Sequence, residues 1–234
     1  MASRIIDNFI NPIVGLKIHR LDITSDLEEL NEIRTHARNR TTINDHLETL
    51  FAESICSNPK LIIELGVETG QSTFVFERVA RLCKARFISV DINDCSNACS
   101  WADWIFVQRD DIEFAKEFES FCKNRNIEPK IDILFIDTSH LYEHTLQEIE
   151  SYFPYLSNKA KVFFHDTNMK NIFRRKDGSM GVGWDNRRGV IRALEVYFGK
   201  SFDEKHDFID CRKGWLIKHY HHCNGLTILE RMVF

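Results

Sequence analysis

From residue 60 onward the chain alternates short, continuous apolar runs with longer stretches whose apolar residues recur at helical spacing. The runs Leu61–Leu65, Arg86–Val90, Trp104–Gln108, Ile131–Ile136 and Ala160–Phe164 predict strands, and Gln71–Lys84, Asp111–Asn124, Tyr142–Tyr155 and Val190–Phe198 predict helices. Strands that are apolar throughout, with helices between them, predict a mostly parallel sheet covered on both faces. Further on, Phe202–Ile209, Gly214–Tyr220 and Leu226–Glu230 predict three more strands. The last two are joined through His222-Cys223-Asn224-Gly225, where Asn-Gly signals a tight antiparallel turn. The expected fold is α/β, a doubly wound sheet that ends in an antiparallel hairpin.

The first 58 residues read differently and are expected to form a helical extension, 1–58, ahead of a main domain, 59–234. Ser25 precedes an amphipathic run through Ile33, with Glu28 placed as in a capping box. Between Ile43 and Cys56, the residues Ile43, Leu47, Leu50, Phe51 and Ile55 fall on one stripe. That stripe needs a cover. It is expected to flank the sheet, to close a pocket, or to join two copies in a homo-oligomer.

The most informative motif is Ile62-Ile63-Glu64-Leu65-Gly66-Val67-Glu68-Thr69-Gly70-Gln71-Ser72, where a buried strand ends in a glycine turn and opens a helix. Asp91 follows Gly70 by 21 positions at the end of the next apolar run. An acid at about that distance is where such a sheet holds the ribose of a nucleotide-type cofactor. The spacing Gly66-x-x-x-Gly70 lacks the middle glycine that lets backbone approach a pyrophosphate, and Glu64 suits a cationic ligand. Glu64-x-Gly66-x-x-x-Gly70 with Asp91 resembles the Rossmann-like class I S-adenosylmethionine-dependent methyltransferases. This resemblance implies S-adenosyl-L-methionine as cofactor and Glu64, Gly66, Gly70, Ser72 and Asp91 around it. Asp110 and Asp111 are expected either beside its adenine or as helix caps.

Acids recur at the ends of the predicted strands: Glu64, Asp91, Asp110-Asp111, Asp137 and His165-Asp166. Clustered carboxylates repel unless a cation or hydrogen-bond donors compensate, so something is expected to bind there. Asp137-Thr138-Ser139-His140-Leu141-Tyr142-Glu143 and His165-Asp166-Thr167 resemble the I-D-G-D-H-x-Y-E and H-D-T runs of the cephalosporin-hydroxylase-like and macrolide-sugar O-methyltransferase subfamily. Thr138 and Ser139 depart from its Gly and Asp. The resemblance spans about Lys60 to Phe198 and implies O-methylation of a small-molecule hydroxyl in natural-product or carbohydrate biosynthesis. A hydroxyl is too weakly acidic to ionise unaided, so it needs a base or a metal. His140, His165 and Asp166 are the catalytic candidates, and Asp137 and Asp166 the candidate ligands for Mg2+ or another divalent ion. Methylation of a nitrogen or a catechol-type oxygen, and a non-catalytic cofactor-binding scaffold, remain as alternatives.

Composition narrows the partners. The net charge of −4 and pI near 6.2 provide no global attraction to nucleic acid or anionic lipid. The local clusters Arg174-Arg175-Lys176 and Arg187-Arg188 read as loop solvation or ligand contacts. Seven cysteines, an odd number, behind an N-terminus without a secretory pattern predict thiols in a cytoplasmic protein. No apolar run approaches the ~20 residues of a membrane span. The glycine-rich stretch Gly178–Gly189 is read as a lid or an ordinary surface loop, with Trp184 to stack on an acceptor ring and Arg187 or Arg188 to bind an acidic group. The cluster His219–Cys223 reads as a hairpin edge. Cys95 and Cys99 lack the second pair that a zinc site needs.

Overall fold

The computed structural model describes residues 26–169, 172–174, 180–182 and 186–232. Five parallel strands, β1 (Leu61–Leu65), β2 (Arg86–Asp91), β3 (Trp104–Gln108), β4 (Ile131–Ile136) and β5 (Leu156–His165), are joined through helices except for β2 and β3, which a loop connects. The short strands β6 (Ile172–Arg174) and β7 (Met180–Val182) form a separate antiparallel pair. The strands β8 (Phe208–Arg212), β9 (Trp215–Tyr220) and β10 (Leu226–Arg231) complete an eight-stranded sheet in the order β3-β2-β1-β4-β5-β10-β9-β8. β10 runs antiparallel between β5 and β9. The order reverses between β1 and β4, and a crevice opens beyond the carboxyl ends of strands at such a point.

Helices α1 (Glu28–His36), α2 (Leu47–Cys56) and α3 (Gln71–Cys83) cover one face; α4 (Asp111–Lys123), α5 (Tyr142–Tyr152) and α6 (Gly189–Phe198) cover the other. Strand alternation divides the side chains between two cores. Along β1, Leu61, Ile63 and Leu65 join Phe114, Phe118, Ile149 and Leu194, while Ile62 joins Leu50, Phe51, Val75 and Phe76. Glu64 shares the parity of Ile62 and so enters the face under α3.

The α2 stripe finds its partner inside the chain. Ile43, Leu47, Leu50 and Phe51 are buried in the same core as Val75, Phe76 and Phe87, and each buried side chain of this size contributes roughly 1.5–3 kcal/mol. The apolar face that suggested a subunit interface is therefore already covered. α2 is also pinned electrostatically: Glu53 pairs with Lys161 of β5 at 2.6 Å and Lys218 of β9 at 2.9 Å.

Several expectations are corrected. Helix α1 starts at Glu28 behind Leu27, which gives no side-chain cap, and Ser25 lies outside the described residues. The segment between Ile43 and Cys56 begins as a 3-10 turn, Asn44–His46, before α2. β5 starts four residues early, because Leu156 pairs with Ile131 ahead of a bulge. The strand expected over Phe202–Ile209 is instead β8, since a turn occupies 204–206 and the ladder to β9 begins at Phe208. Among the described residues no helix is long and apolar enough to cross a membrane.

Candidate active site

A cavity of about 700 Å³ opens at the carboxyl ends of β1, β2, β4 and β5. Its floor is the β1–α3 turn. Gly66 adopts φ +86° there, and a Cβ on it would lie 1.9 Å from the carbonyl oxygen of Asp137, so only glycine lets the β1 and β4 ends meet. Asp91 at the end of β2 braces the turn. Its Oδ2 accepts from the backbone N–H groups of Val67 (2.8 Å) and Glu68 (3.2 Å), and its Oδ1 from that of Asn93 (2.8 Å). Burial works to raise the Asp91 pKa, but these donors prevail and hold it below the ordinary carboxylate value.

Glu64 does not face the cavity. It is fully buried under α3, accepting from Ser72 Oγ (2.6 Å), Thr73 Oγ1 (2.9 Å) and Ser89 Oγ (2.5 Å), and Ser89 Oγ in turn accepts from Trp104 Nε1 (2.8 Å). Burial pushes the Glu64 carboxyl up to about 7 even though the hydroxyls favour its charged form. The expected contact with a cationic ligand is thus replaced by a structural network between β1, β2 and α3. Ser72 reaches the cavity wall with its hydroxyl committed to Glu64. Gly70, at φ +78°, starts α3, where a Cβ would lie 2.9 Å from Ala98 Cβ.

Both acids at the α4 start line the cavity with their carboxylates engaged. Asp110 Oδ1 caps α4 by accepting from Ile112 and Glu113 N–H, each at 3.0 Å. Asp111 meets His144, whose Nε2 lies 3.0 Å from Oδ1 and 3.2 Å from Oδ2.

Asp137, His140, His165 and Asp166 converge as their strand ends predict. His140 Nε2 lies 2.9 Å from Asp137 Oδ1 and 3.1 Å from Asp166 Oδ2; His165 Nδ1 lies 3.3 Å from one oxygen of each acid. His140 and Asp166 hold left-handed backbone angles, φ +58° and +56°, which bring them onto the same spot. Non-glycine residues rest there when their surroundings over-determine them, a frequent condition at functional sites. Asp137, His140 and Asp166 line the cavity, whereas His165 is 1% exposed behind them. Burial alone would discharge His165, but the Asp137 and Asp166 carboxylates raise its pKa to about 9. That direction favours the imidazolium between the two acids, and His165 itself is not part of the cavity lining. Asp137 is held below its ordinary pKa, because the two histidines overcome its burial.

Sequence reasoning missed part of the wall. Thr41, Thr42 and Ile43 line the cavity from the stretch before α2. Cys223 Sγ donates to the Thr42 carbonyl at 2.9 Å, and His46 Nε2 lies 2.9 Å from the His222 carbonyl oxygen, fastening that stretch to the β9–β10 turn. His144 and Glu148 were missed too, although their i, i+4 spacing directly after His140 puts them on one helix face. In the glycine-rich stretch, Trp184 lies outside the described residues. Arg188, offered as a ligand contact, pairs with Glu204 (2.7 Å) and Glu195 (3.0 Å). In the cluster His219–Cys223, read as a hairpin edge, His219 bonds Thr227 Oγ1 and the Glu204 carbonyl, and His221 bonds Asp207.

Residues 63–167 match the sequence profile of a family described as a methyltransferase domain. No curated protein matches the chain. Among solved structures it is similar to the S-adenosylhomocysteine-bound methyltransferase PaMTH1 of Podospora anserina, with 12% identity, TM-score 0.57, and 99% of this chain and 96% of that one covered. It is also similar to the O-methyltransferase TomG of Streptomyces achromogenes, involved in tomaymycin synthesis and solved with S-adenosylmethionine (13%, TM-score 0.54, 97% and 96% covered). A third is MycE of the mycinamycin pathway, solved with Mg, S-adenosylhomocysteine and mycinamycin VI (18%, TM-score 0.56, 89% and 56% covered). At these identities the structures speak for the fold, and the profile match speaks for the domain. Residues 63–167 therefore carry the profile of a methyltransferase domain, laid from β1 to the end of β5 on a sheet whose fold is that of these structures.

Proposed function

We propose that the protein transfers a methyl group from S-adenosylmethionine to a hydroxyl of a small molecule, a sugar or natural-product intermediate, inside the 700 Å³ cavity. The observation that carries this reading is the Asp137–His140–Asp166 cluster, set at the cavity wall against the Gly66 turn. When bound, S-adenosylmethionine supplies an electrophilic methyl on a sulfonium, displaced in line by the acceptor, so alignment provides much of the acceleration. Asp91 and the Val67 and Glu68 backbone form the edge that receives the ribose and amino-acid parts, and residues 109–111 border the far end, where the base fits.

The acceptor proton is handled at Nε2 of His140, the ring atom directed at Asp137 and Asp166; Nδ1 is buried. The neighbouring carboxylates stabilise the imidazolium that forms when Nε2 takes the proton, and His165 keeps both acids from repelling each other. The same three side chains also fit a divalent ion, since one donor atom from each lies within 4.8 Å of the others and two of the three are hard oxygens. Such an ion would lower the pKa of the acceptor hydroxyl.

The test is titration of S-adenosylhomocysteine into the purified protein, followed by methylation of a panel of sugars, polyketides, catechols and amines with and without chelator. Binding of S-adenosylhomocysteine with product confined to hydroxyl acceptors supports the reading. Product only with amines or catechols replaces the acceptor class, and no binding removes the activity altogether.

A further inference from the structure

A second constellation lies beside the first; of its residues only Asp111 borders the space assigned above to the cofactor's base, and none handles the acceptor proton. On α5, His144 and Glu148 share one face; opposite them Asp111 opens α4. One donor atom from each of the three lies within 4.8 Å of the other two. His144 Nε2 stands 3.0 Å from Asp111 Oδ1 and 3.8 Å from Glu148 Oε1. Cis donors held at ~2.1 Å from one ion are separated by about 3 Å, so the spacing suits a shared coordination sphere.

Glu148 supplies the independent sign that something is missing. It is 0% exposed and its Oε1 accepts from Thr138 Oγ1 at 2.6 Å; its Oε2 is buried with no donor other than a proton shared with the adjacent Asp111 carboxyl, and burial together with that carboxyl raises its pKa. Native interiors rarely leave such an oxygen unsatisfied, and two carboxyl groups this close oppose each other's charge. Asp111 and His144 line the cavity, so water or a bound ligand can complete the sphere from that side.

We propose that Asp111, His144 and Glu148 bind a divalent transition-metal ion, at a site separate from Asp137–His140–Asp166. An imidazole with two carboxylates selects Mn2+, Fe2+ or Zn2+ over Mg2+, which favours oxygen alone. Through the Thr138–Glu148 bond, the ion would brace the segment that carries Asp137 and His140 against the start of α4. The inference is independent of the methyl-transfer reading.

The experiment strips the full-length protein with a chelator and titrates it with Mn2+, followed by electron paramagnetic resonance, and with Zn2+, followed by calorimetry. Wild type should bind an ion that His144→Ala loses and Glu148→Gln weakens by more than the ~10–100-fold typical of an outer-shell change. The same ion should stay bound in the Asp137→Asn/Asp166→Asn double variant. Metal binding unchanged in His144→Ala, or abolished altogether by the double variant while it remains folded by circular dichroism, overturns the proposal. So does the absence of Mn2+ and Zn2+ binding. The rival arrangement, a proton shared between Glu148 and Asp111, would show as a carboxylic-acid C=O band that persists in metal-treated wild type and vanishes in Glu148→Gln; that result also overturns it. Should Glu148→Gln fail to fold, His144→Ala, at the partly exposed cavity wall, carries the test.

Discussion

His140 Nε2 stands 2.9 Å from Asp137 Oδ1, three residues earlier in the chain, because a left-handed backbone at His140 folds the ring back over the end of β4. His140→Ala should therefore lower turnover by about 10²–10⁴-fold, the usual contribution of a positioned base. Affinity for S-adenosylhomocysteine, measured by calorimetry, should change little. A loss of affinity as large as the loss of rate would place His140 in cofactor binding instead. If chelation abolishes activity in wild type and in His144→Ala alike, and Mg2+ or Mn2+ restores it, the ion acts at Asp137–His140–Asp166; if activity survives chelation, the ring acts as the base.

Asp91→Ala removes the acceptor expected for the ribose and releases three backbone N–H groups at once. Hydrogen bonds to a charged group are worth about 1.5–3 kcal/mol, so the S-adenosylhomocysteine Kd should rise about 10- to 150-fold. Asp91→Asn, which keeps one carbonyl acceptor, should fall between. Wild-type affinity in the Ala variant refutes the assignment.

Gly66→Ala meets two obstacles, the positive φ and the Asp137 carbonyl at 1.9 Å. Gly199→Ala meets only the first, with φ +65° and nothing within 4 Å of the added methyl. The strain alone costs of order 1–3 kcal/mol. Thermal melts should show Gly66→Ala less stable than Gly199→Ala, with cofactor affinity lost only in the former. Equal melting temperatures for the two would contradict the close approach of β1 and β4.

Glu64 sets a pH dependence. Its folded pKa, about 7, lies above the ordinary value of 4.5, so the unfolded chain releases the proton first as pH rises. Its favourable contribution is fully present below pH 4.5 and is lost as pH rises through 7; the shift corresponds to about 3 kcal/mol. In Glu64→Gln, chemical denaturation between pH 4.5 and 7 should show a flatter profile than wild type. Parallel profiles would mean that Glu64 titrates normally.

The parallel strands were legible because burial on both faces demands unbroken apolar runs such as Ile131–Ile136. That same double burial hid the direction of Glu64, since neither face of β1 is marked polar by sequence. The convergence of Asp137, His140 and Asp166 follows from strand order, and acids at strand ends made it readable. His144 and Glu148 were camouflaged as the polar positions of an amphipathic helix, and Asp111 as one of two adjacent capping acids. The start of β5 escaped notice because Ser157, Asn158 and Lys159 are polar, and β8 because it lies at the sheet edge, where Ile209 stays exposed.

The wall built by Thr41, Thr42 and Ile43 has a consequence for how this protein can change. The groups proposed to move a proton sit on strand ends locked to one another, down to a glycine that tolerates no methyl. The stretch 41–43 belongs to another part of the chain, and the Cys223 thiol holds it by the Thr42 backbone carbonyl, a contact blind to the side chains at 41–43. Ile43 is held in the core and Thr41 Oγ1 accepts from the Ile43 N–H, so Thr42 is the position at which this wall can be exchanged, in evolution or by engineering, without disturbing the reactive cluster.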